Sequence, residues 1–327
     1  MSDTRTVLPS HTPRTSSLRR PPALRPGDRV AVLTCSSPCN QERLLVGLDA
    51  LRFVGLEPVV YPSASADGCF RHFLAGTDEE RARDLRAALL DHTIAGVLLA
   101  GGGYGSQRAL EVMDWSGLER VDPKVVVGYS DATGVLEALA ARLGWASLMG
   151  AMVAEAEFAE TYSFTSLLRS LMFPEQVRSL RYDEAVTVVD GVAAGVTVGG
   201  NLSLLAGSLG TPTSLPPRNG ILLLEDEQEN DARVDTMLTH LRRSGWLDGV
   251  AAVVCGTFHN CGTVDEIHPI LVDRLGTLGV PMIAWANIGH GGHVQTFPLG
   301  VRARLDAGNR TLDLLEPPLL PPTGETQ

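Results

Sequence analysis

The chain has 327 residues, 44% of them apolar and 5% aromatic, and a formal net charge of −11. This composition fits a glycine- and alanine-rich soluble α/β protein and excludes a disordered or fibrous chain. The acidic balance argues against a nucleic-acid partner, since such proteins present a basic patch, and no apolar run is long enough to span a bilayer.

The length predicts two domains or one large one. Cys35, Cys39, Cys69, Cys255 and Cys261 are odd in number, scattered and without zinc-ribbon spacing, so a reducing compartment is expected rather than a disulfide framework. The N-terminus lacks the apolar core of a secretory signal, which makes the cytoplasm the expected location.

Residues 1–25 are rich in Ser, Thr, Pro and Arg and read as a disordered lead-in. Arg29 to Thr34 predicts a first strand, Glu42 to Val54 a helix and Gly55 to Tyr61 a second strand. Thr77, with Glu80 three residues on, predicts a capped helix running to about Asp91. Ile94 to Ala100 is a third strand. It is followed by the glycine loop Gly101 to Ser106 and a helix over Gln107 to Met113. Lys124 to Val127 is a short β-branched strand that turns at Ser130 into a helix with Val135, Leu136, Leu139 and Leu143 on one face. Alternating strands and helices imply a parallel sheet with right-handed crossovers.

Gly144 to Gly150 continues that sheet, and Ala151 to about Tyr182 reads as helical or irregular. Strands follow at Thr187 to Val189 and Gly191 to Gly200, then a short helix from Asn201 to Ala206. Ile221 to Leu224 is a buried strand ending on Glu225-Asp226-Glu227. A helix over Asp231 to Ser244 has Val234, Met237, Leu238 and Leu241 as its inward stripe. Val250 to Gly256 is a strand, Ile267 to Leu278 a helix, and Val301 to Leu315 a closing hairpin. The expected organisation is α/β throughout: an N-terminal parallel-sheet domain over 26–155, a connection over 156–184, a smaller mixed-sheet domain over 185–316 and a tail over 317–327.

Ser130 sits where a nucleophile elbow would place it, on a tight strand-to-helix turn with the amide of Asp131 free to meet an oxyanion. Gly128 precedes it by two residues, and Ala132 takes the place of the second glycine. Helix capping by Ser130 and Asp131 is the plain alternative. A serine nucleophile needs a base and the base an orienting acid. His290, flanked by Gly289 and Gly291, is the candidate base, and Glu225 the candidate acid; otherwise Glu225 belongs to a solvated acidic loop. A metal at His290 and His293 is the rival account, on weak ligand spacing. The dinucleotide fingerprint is incomplete at Gly101 to Ser106.

Five segments together resemble the LD-carboxypeptidases: Gly102-Gly103-Tyr104-Gly105, the Gly128-Tyr129-Ser130-Asp131 elbow, Gly199-Gly200-Asn201-Leu202, Leu224-Glu225-Asp226, and Gly289-His290-Gly291 with Pro298-Leu299-Gly300. They span about residues 26–316. That family consists of serine peptidases that trim murein tetrapeptides, and it includes the microcin C immunity peptidases. The resemblance implies Ser130 as nucleophile, Glu225 and His290 as its triad partners, and the Asp131 amide in the oxyanion hole. Gly102 and Gly103 would supply further donors, with Tyr104 and Asn201 among the binding residues. It also implies a small peptide substrate, a homodimer, and neither metal nor organic cofactor. Two departures bear on the substrate: Gly101 replaces an arginine often found there, and Met149-Gly150-Ala151 replaces an often-seen His-Gly-Pro. A peptidase acting on a peptidyl or aminoacyl nucleotide conjugate is the nearest alternative, and a non-catalytic module holding an anion on the glycine loop is the alternative from another class.

Overall fold

The computed structural model describes residues 17–65, 69–291 and 293–322. The first part of the chain gives β1 (Arg29–Leu33), α1 (Gln41–Phe53), β2 (Glu57–Val60), a ribbon of β3 (Cys69–Phe70) and β4 (Leu74–Ala75), α2 (Asp78–Leu90), β5 (Ile94–Leu99), α3 (Ser106–Val112), β6 (Val125–Gly128), α4 (Thr133–Leu143) and β7 (Ser147–Met149). After α5 (Thr161–Met172) come β8 (Ser179–Arg181), β9 (Val186–Val189), β10 (Val192–Asn201), α6 (Leu202–Gly207), β11 (Gly220–Glu227), α7 (Asp231–Arg243), β12 (Ala252–His259), α8 (Val264–Arg274), β13 (Met282–Ala284), β14 (Phe297–Leu299), β15 (Arg302–Asp306) and β16 (Thr311–Leu314). No helix among the described residues is long and apolar enough to cross a membrane.

Two sheets carry the fold. The first has the order β14-β7-β6-β5-β1-β2, parallel except for β14. Its central strands are buried on both faces and so are apolar at nearly every position: Val126 belongs to the same core cluster as Val135 and Leu139 of α4, while Val125 and Val127 belong to a second cluster with Leu44 and Leu48 of α1. The second sheet, β8-β16-β15-β10-β11-β12-β13-β9, is parallel from β10 to β13 and antiparallel towards its edges. The expected capping box at Thr77 and Glu80 and the expected buried stripe of α7 are both present.

Several boundaries differ from expectation. Residues 1–16 and 323–327 lie outside the described ones, but 17–25 are not a loose lead-in: Leu24 is buried, Arg19 bridges to Trp145 and Pro22 to Leu320. Tertiary contact there overrides a composition that resembles disorder. The stretch to Tyr182, expected to be helical or irregular, contains three-residue β8, held by pairing with β16. Helix α8 ends at Arg274, and the remainder to Leu278 is a 3-10 turn. Strand β11 continues through Glu225, Asp226 and Glu227, whose carboxylates meet Asn201 of β10, Ser203 of α6 and His290. Lastly, β14 lies in sequence between β13 and β15 of the second sheet yet pairs with β7 in the first.

Candidate active site

Strand β6 leads through Tyr129 into a single 3-10 turn, Ser130–Ala132, and then α4. Ser130 has φ 59, a left-handed conformation that a side chain adopts only where the surroundings impose it. The imposition is steric: a β-carbon on Gly128 would lie 2.7 Å from Cβ of Ala132 and 2.9 Å from Leu99 Cδ1, so strand end and helix start are pressed together. Glycine is therefore needed on the strand side of that contact. The half-buried Ser130 hydroxyl has no hydrogen-bond partner among the described residues.

The side chain of Asp131 points away from chemistry and into construction. Its Oδ2 accepts from Ser36 Oγ at 2.6 Å and from the Ser106 amide at 2.7 Å, and its carbonyl accepts from Ser106 Oγ at 2.6 Å. The elbow is thus bolted to the loop after β1 and to the end of the glycine loop. Arg81, fully buried, adds a second bolt by donating to the carbonyls of Cys35 and Gly105. Ser37 contributes a third, its amide donating to Gly102 O at 3.2 Å and its hydroxyl accepting from the Tyr104 amide at 3.1 Å. As a result Gly102 lies against Ser130: a β-carbon there would sit 3.0 Å from Ser130 Oγ. Tyr104 is exposed, its ring 5.9 Å from that of Phe73.

Glu225 and His290 meet as the sequence expects. His290 Nδ1 is 2.7 Å from Glu225 Oε2, which also accepts from the His290 amide at 3.3 Å. Glu225 is completely buried. Its other oxygen accepts from Asn201 Nδ2 at 3.2 Å, and the same amide group donates to Asp226 Oδ1 at 2.9 Å. Asn201 therefore spends its side chain on the two carboxylates, and on the cap of α6 through Oδ1 and the Leu204 amide. Its own amide donates to Thr133 Oγ1 at 3.0 Å, tying the end of β10 to the elbow helix. The β11–β12 register shifts between Leu224 and Asp226, a bulge of the kind that re-aims side chains at a strand end. The loop bearing His290 is anchored by α5: Ser163 Oγ accepts from the Val294 amide and Ser166 Oγ from the Thr296 amide, each at 2.9 Å. His293 is occupied separately, 3.3 Å from Glu160. Among the described residues no group of three or more His, Cys, Asp or Glu is placed to hold a metal ion.

A residue missed from the sequence is Glu227. By the two-residue period of a strand it shares a face with Glu225, and its Oε2 lies 3.2 Å from His290 Nε2. Burial lowers the imidazole pKa, but Glu225, Glu227 and Asp226 more than offset this and lift it to about 8. Burial also pushes the Asp226 carboxyl up to about 6, against the hydrogen bonds from Ser203. Glu155 is raised by burial too, with a hydrogen bond from the Gly102 backbone pulling the other way.

Ser130, His290, Gly102, Gly103, Tyr104 and Asn201 all line one cleft of about 1330 Å³ between the two sheets. The cleft extends beside α4 as far as Trp115 and Arg142, whose guanidinium lies 5.2 Å over the Trp115 ring. A hydroxyl on a strained turn, backbone amides beside it and a carboxylate-held imidazole in the same cleft are the parts that acyl transfer requires.

Residues 30–150 match the model of the LD-carboxypeptidase N-terminal domain and residues 194–305 that of the LD-carboxypeptidase C-terminal domain. The chain is 46% identical over 307 residues to a putative carboxypeptidase of Streptomyces coelicolor, covering 93% of this chain and 99% of that one. It is 31% identical over 302 residues to a probable murein peptide carboxypeptidase of Bacillus subtilis, covering 89% and 93%. Among solved structures, MccF in complex with glutamyl sulfamoyl guanosine superposes with a TM-score of 0.82 at 21% identity, covering 92% of this chain and 99% of that one, a likeness of fold. Both halves of the family pattern being present in order over nearly the whole length, the chain belongs to the LD-carboxypeptidase family of peptidases.

Proposed function

We propose that this peptidase is a serine carboxypeptidase that cleaves an L,D-peptide bond and removes the terminal D-alanine of murein tetrapeptide in cell-wall recycling. The observation that carries the reading is the Glu225–His290 pair at 2.7 Å, facing the same cleft as the strained Ser130 turn. In this scheme Ser130 Oγ attacks the scissile carbonyl while His290 Nε2 takes its proton and later returns it to the departing amine. Glu225, on Nδ1, holds the tautomer and stabilises the imidazolium. The amide of Asp131 and the amides of the Gly102-Gly103 loop receive the developing oxyanion. The murein assignment is supported by the likeness to the probable murein peptide carboxypeptidase of Bacillus subtilis.

A second substrate, a peptidyl or aminoacyl nucleotide conjugate, is favoured by the length of the cleft and the Arg142–Trp115 stack beyond the reacting groups. Incubation with murein tetrapeptide and with an acyl-sulfamoyl adenylate, followed by mass spectrometry, separates the two. Release of D-alanine from the first supports the proposal; cleavage of the second alone replaces it; cleavage of neither, with both bound, favours a binding module.

A further inference from the structure

The imidazole of His290 is held from both sides. Glu225 faces Nδ1 at 2.7 Å and Glu227 faces Nε2 at 3.2 Å, and both carboxylates come from the same strand, two residues apart. Their surroundings differ. Glu225 has no exposed surface and both its oxygens are engaged, whereas the Glu227 side chain is 30% exposed and lines the cleft. One of these contacts is built to last and the other to be exchanged. Nε2 is also the nitrogen that a serine mechanism needs, and among the described residues the Ser130 hydroxyl is unpartnered while Glu227 occupies that nitrogen.

We infer that Glu227 is a positioning residue for the catalytic base: in the free enzyme it pairs with the protonated Nε2 of His290 and keeps that nitrogen from Ser130, so that the hydroxyl is activated only once the pair is exchanged. The inference rests on the serine reading of the same site. The charged groups that act on the imidazole are Glu225, Asp226 and Glu227 from β11 and Glu155 from the loop after β7, with the Tyr129 ring 4.8 Å away. All four are carboxyl groups, so the site as a whole favours the imidazolium. Glu227 is the one that acts directly on Nε2. Activation requires that the Nε2 proton leave to water and that the freed lone pair accept the Ser130 hydroxyl proton. A base with a pKa of about 8 is neutral in roughly one-tenth of molecules at pH 7, which sets the resting reactivity of the serine.

The test needs no knowledge of the natural substrate. A fluorophosphonate reacts with an activated serine by forming an Oγ–P bond and expelling fluoride, while the hydroxyl proton passes to the base. Its rate of labelling is measured from pH 5.5 to pH 9.5 for the wild type, Glu227→Gln, Glu227→Ala and Ser130→Ala, with the labelled residue found by peptide mapping. Removing one adjacent negative charge lowers the midpoint of the labelling profile by about one unit and raises the rate at pH 7 by about fivefold in both Glu227 variants. At pH 9, where the base is already neutral, the variants and the wild type converge. A pH profile unchanged in both Glu227 variants, or a rate that falls at every pH, overturns the role of Glu227. Absence of labelling at Ser130 in the wild type at every pH overturns the serine reading instead, so the two failures are distinct.

Discussion

Gly289 and Glu225 compete for one volume: a β-carbon on Gly289 would lie 2.8 Å from Glu225 Cγ and 2.9 Å from Glu225 Cβ. Gly289 also has φ +103, a conformation that strains any side chain. The acid can sit under the base because the residue before the base has no side chain. Gly289→Ala is expected to push the loop off Glu225, costing about 1–3 kcal/mol of stability from backbone strain and on the order of 10²-fold in turnover from the displaced imidazole. Thermal melts and peptidase assays on the purified variant check both; turnover within threefold of the wild type would show that the loop tolerates the shift.

Ser130→Ala removes a group that is free of hydrogen bonds among the described residues, so the melting temperature should be unchanged. Turnover should fall by on the order of 10⁴-fold or more, since the residual rate would rest on the oxyanion donors and binding alone. Activity retained within tenfold would remove the serine mechanism.

Glu225→Gln keeps the shape of the buried acid and its partner Asn201, but the amide no longer stabilises an imidazolium at Nδ1. A loss of roughly 10³- to 10⁴-fold in turnover is expected with the fold retained. Near-ultraviolet circular dichroism together with the assay separates this from misfolding; a loss below tenfold would assign the orienting acid elsewhere.

Glu137 gives a prediction about stability and pH. It lies on α4, buried, and Oε1 accepts from the Leu215 amide at 2.8 Å and from Ser208 Oγ at 3.1 Å, while Oε2 has no partner among the described residues. Burial raises its carboxyl from 4.5 to about 8 against those two bonds. Between those values the native state binds a proton that the unfolded state releases, so this group's contribution is fully present below pH 4.5 and is lost as pH rises through 8. Glu137→Gln keeps the acceptor and abolishes the titration. It should stabilise the protein by on the order of 2 kcal/mol at pH 8 and by little at pH 4.5, as urea titrations at the two pH values would show. An equal effect at both would mean the side chain ionises freely where it sits.

Much of this was legible before the coordinates. The Val125-Val126-Val127 run followed by a helical stripe identifies β6, the turn and α4, because a short, unbroken β-branched run marks a doubly buried strand and the stripe after it a helix. Glycines on either side of His290 mark a place of close backbone approach, and Gly289 is that place. Glu227 was hidden for a physical reason: Glu225-Asp226-Glu227 has the composition of a solvated loop, and only the continuation of β11 through it turns i and i+2 into two hands on one imidazole. Asn201 and Asp131 were expected near substrate or oxyanion; their side chains are spent on carboxylate and serine partners that local sequence does not reveal. The placement of β14 could not be read either, since three residues carry too little pattern to name their neighbour.

That placement has a mechanical side. The segment carrying His290 stays hydrogen-bonded to β12 as far as Ile288 and joins the first sheet at Phe297, so it is a tie rod with one end set in each sheet. Glu225 is set in the second sheet alone. A rotation of one sheet against the other therefore strains the span from Gly289 to Thr296, which begins beside the imidazole and its acid. Turnover is therefore expected to fail in denaturant ahead of the secondary structure. A compound wedged into the seam could silence the enzyme without ever reaching Ser130.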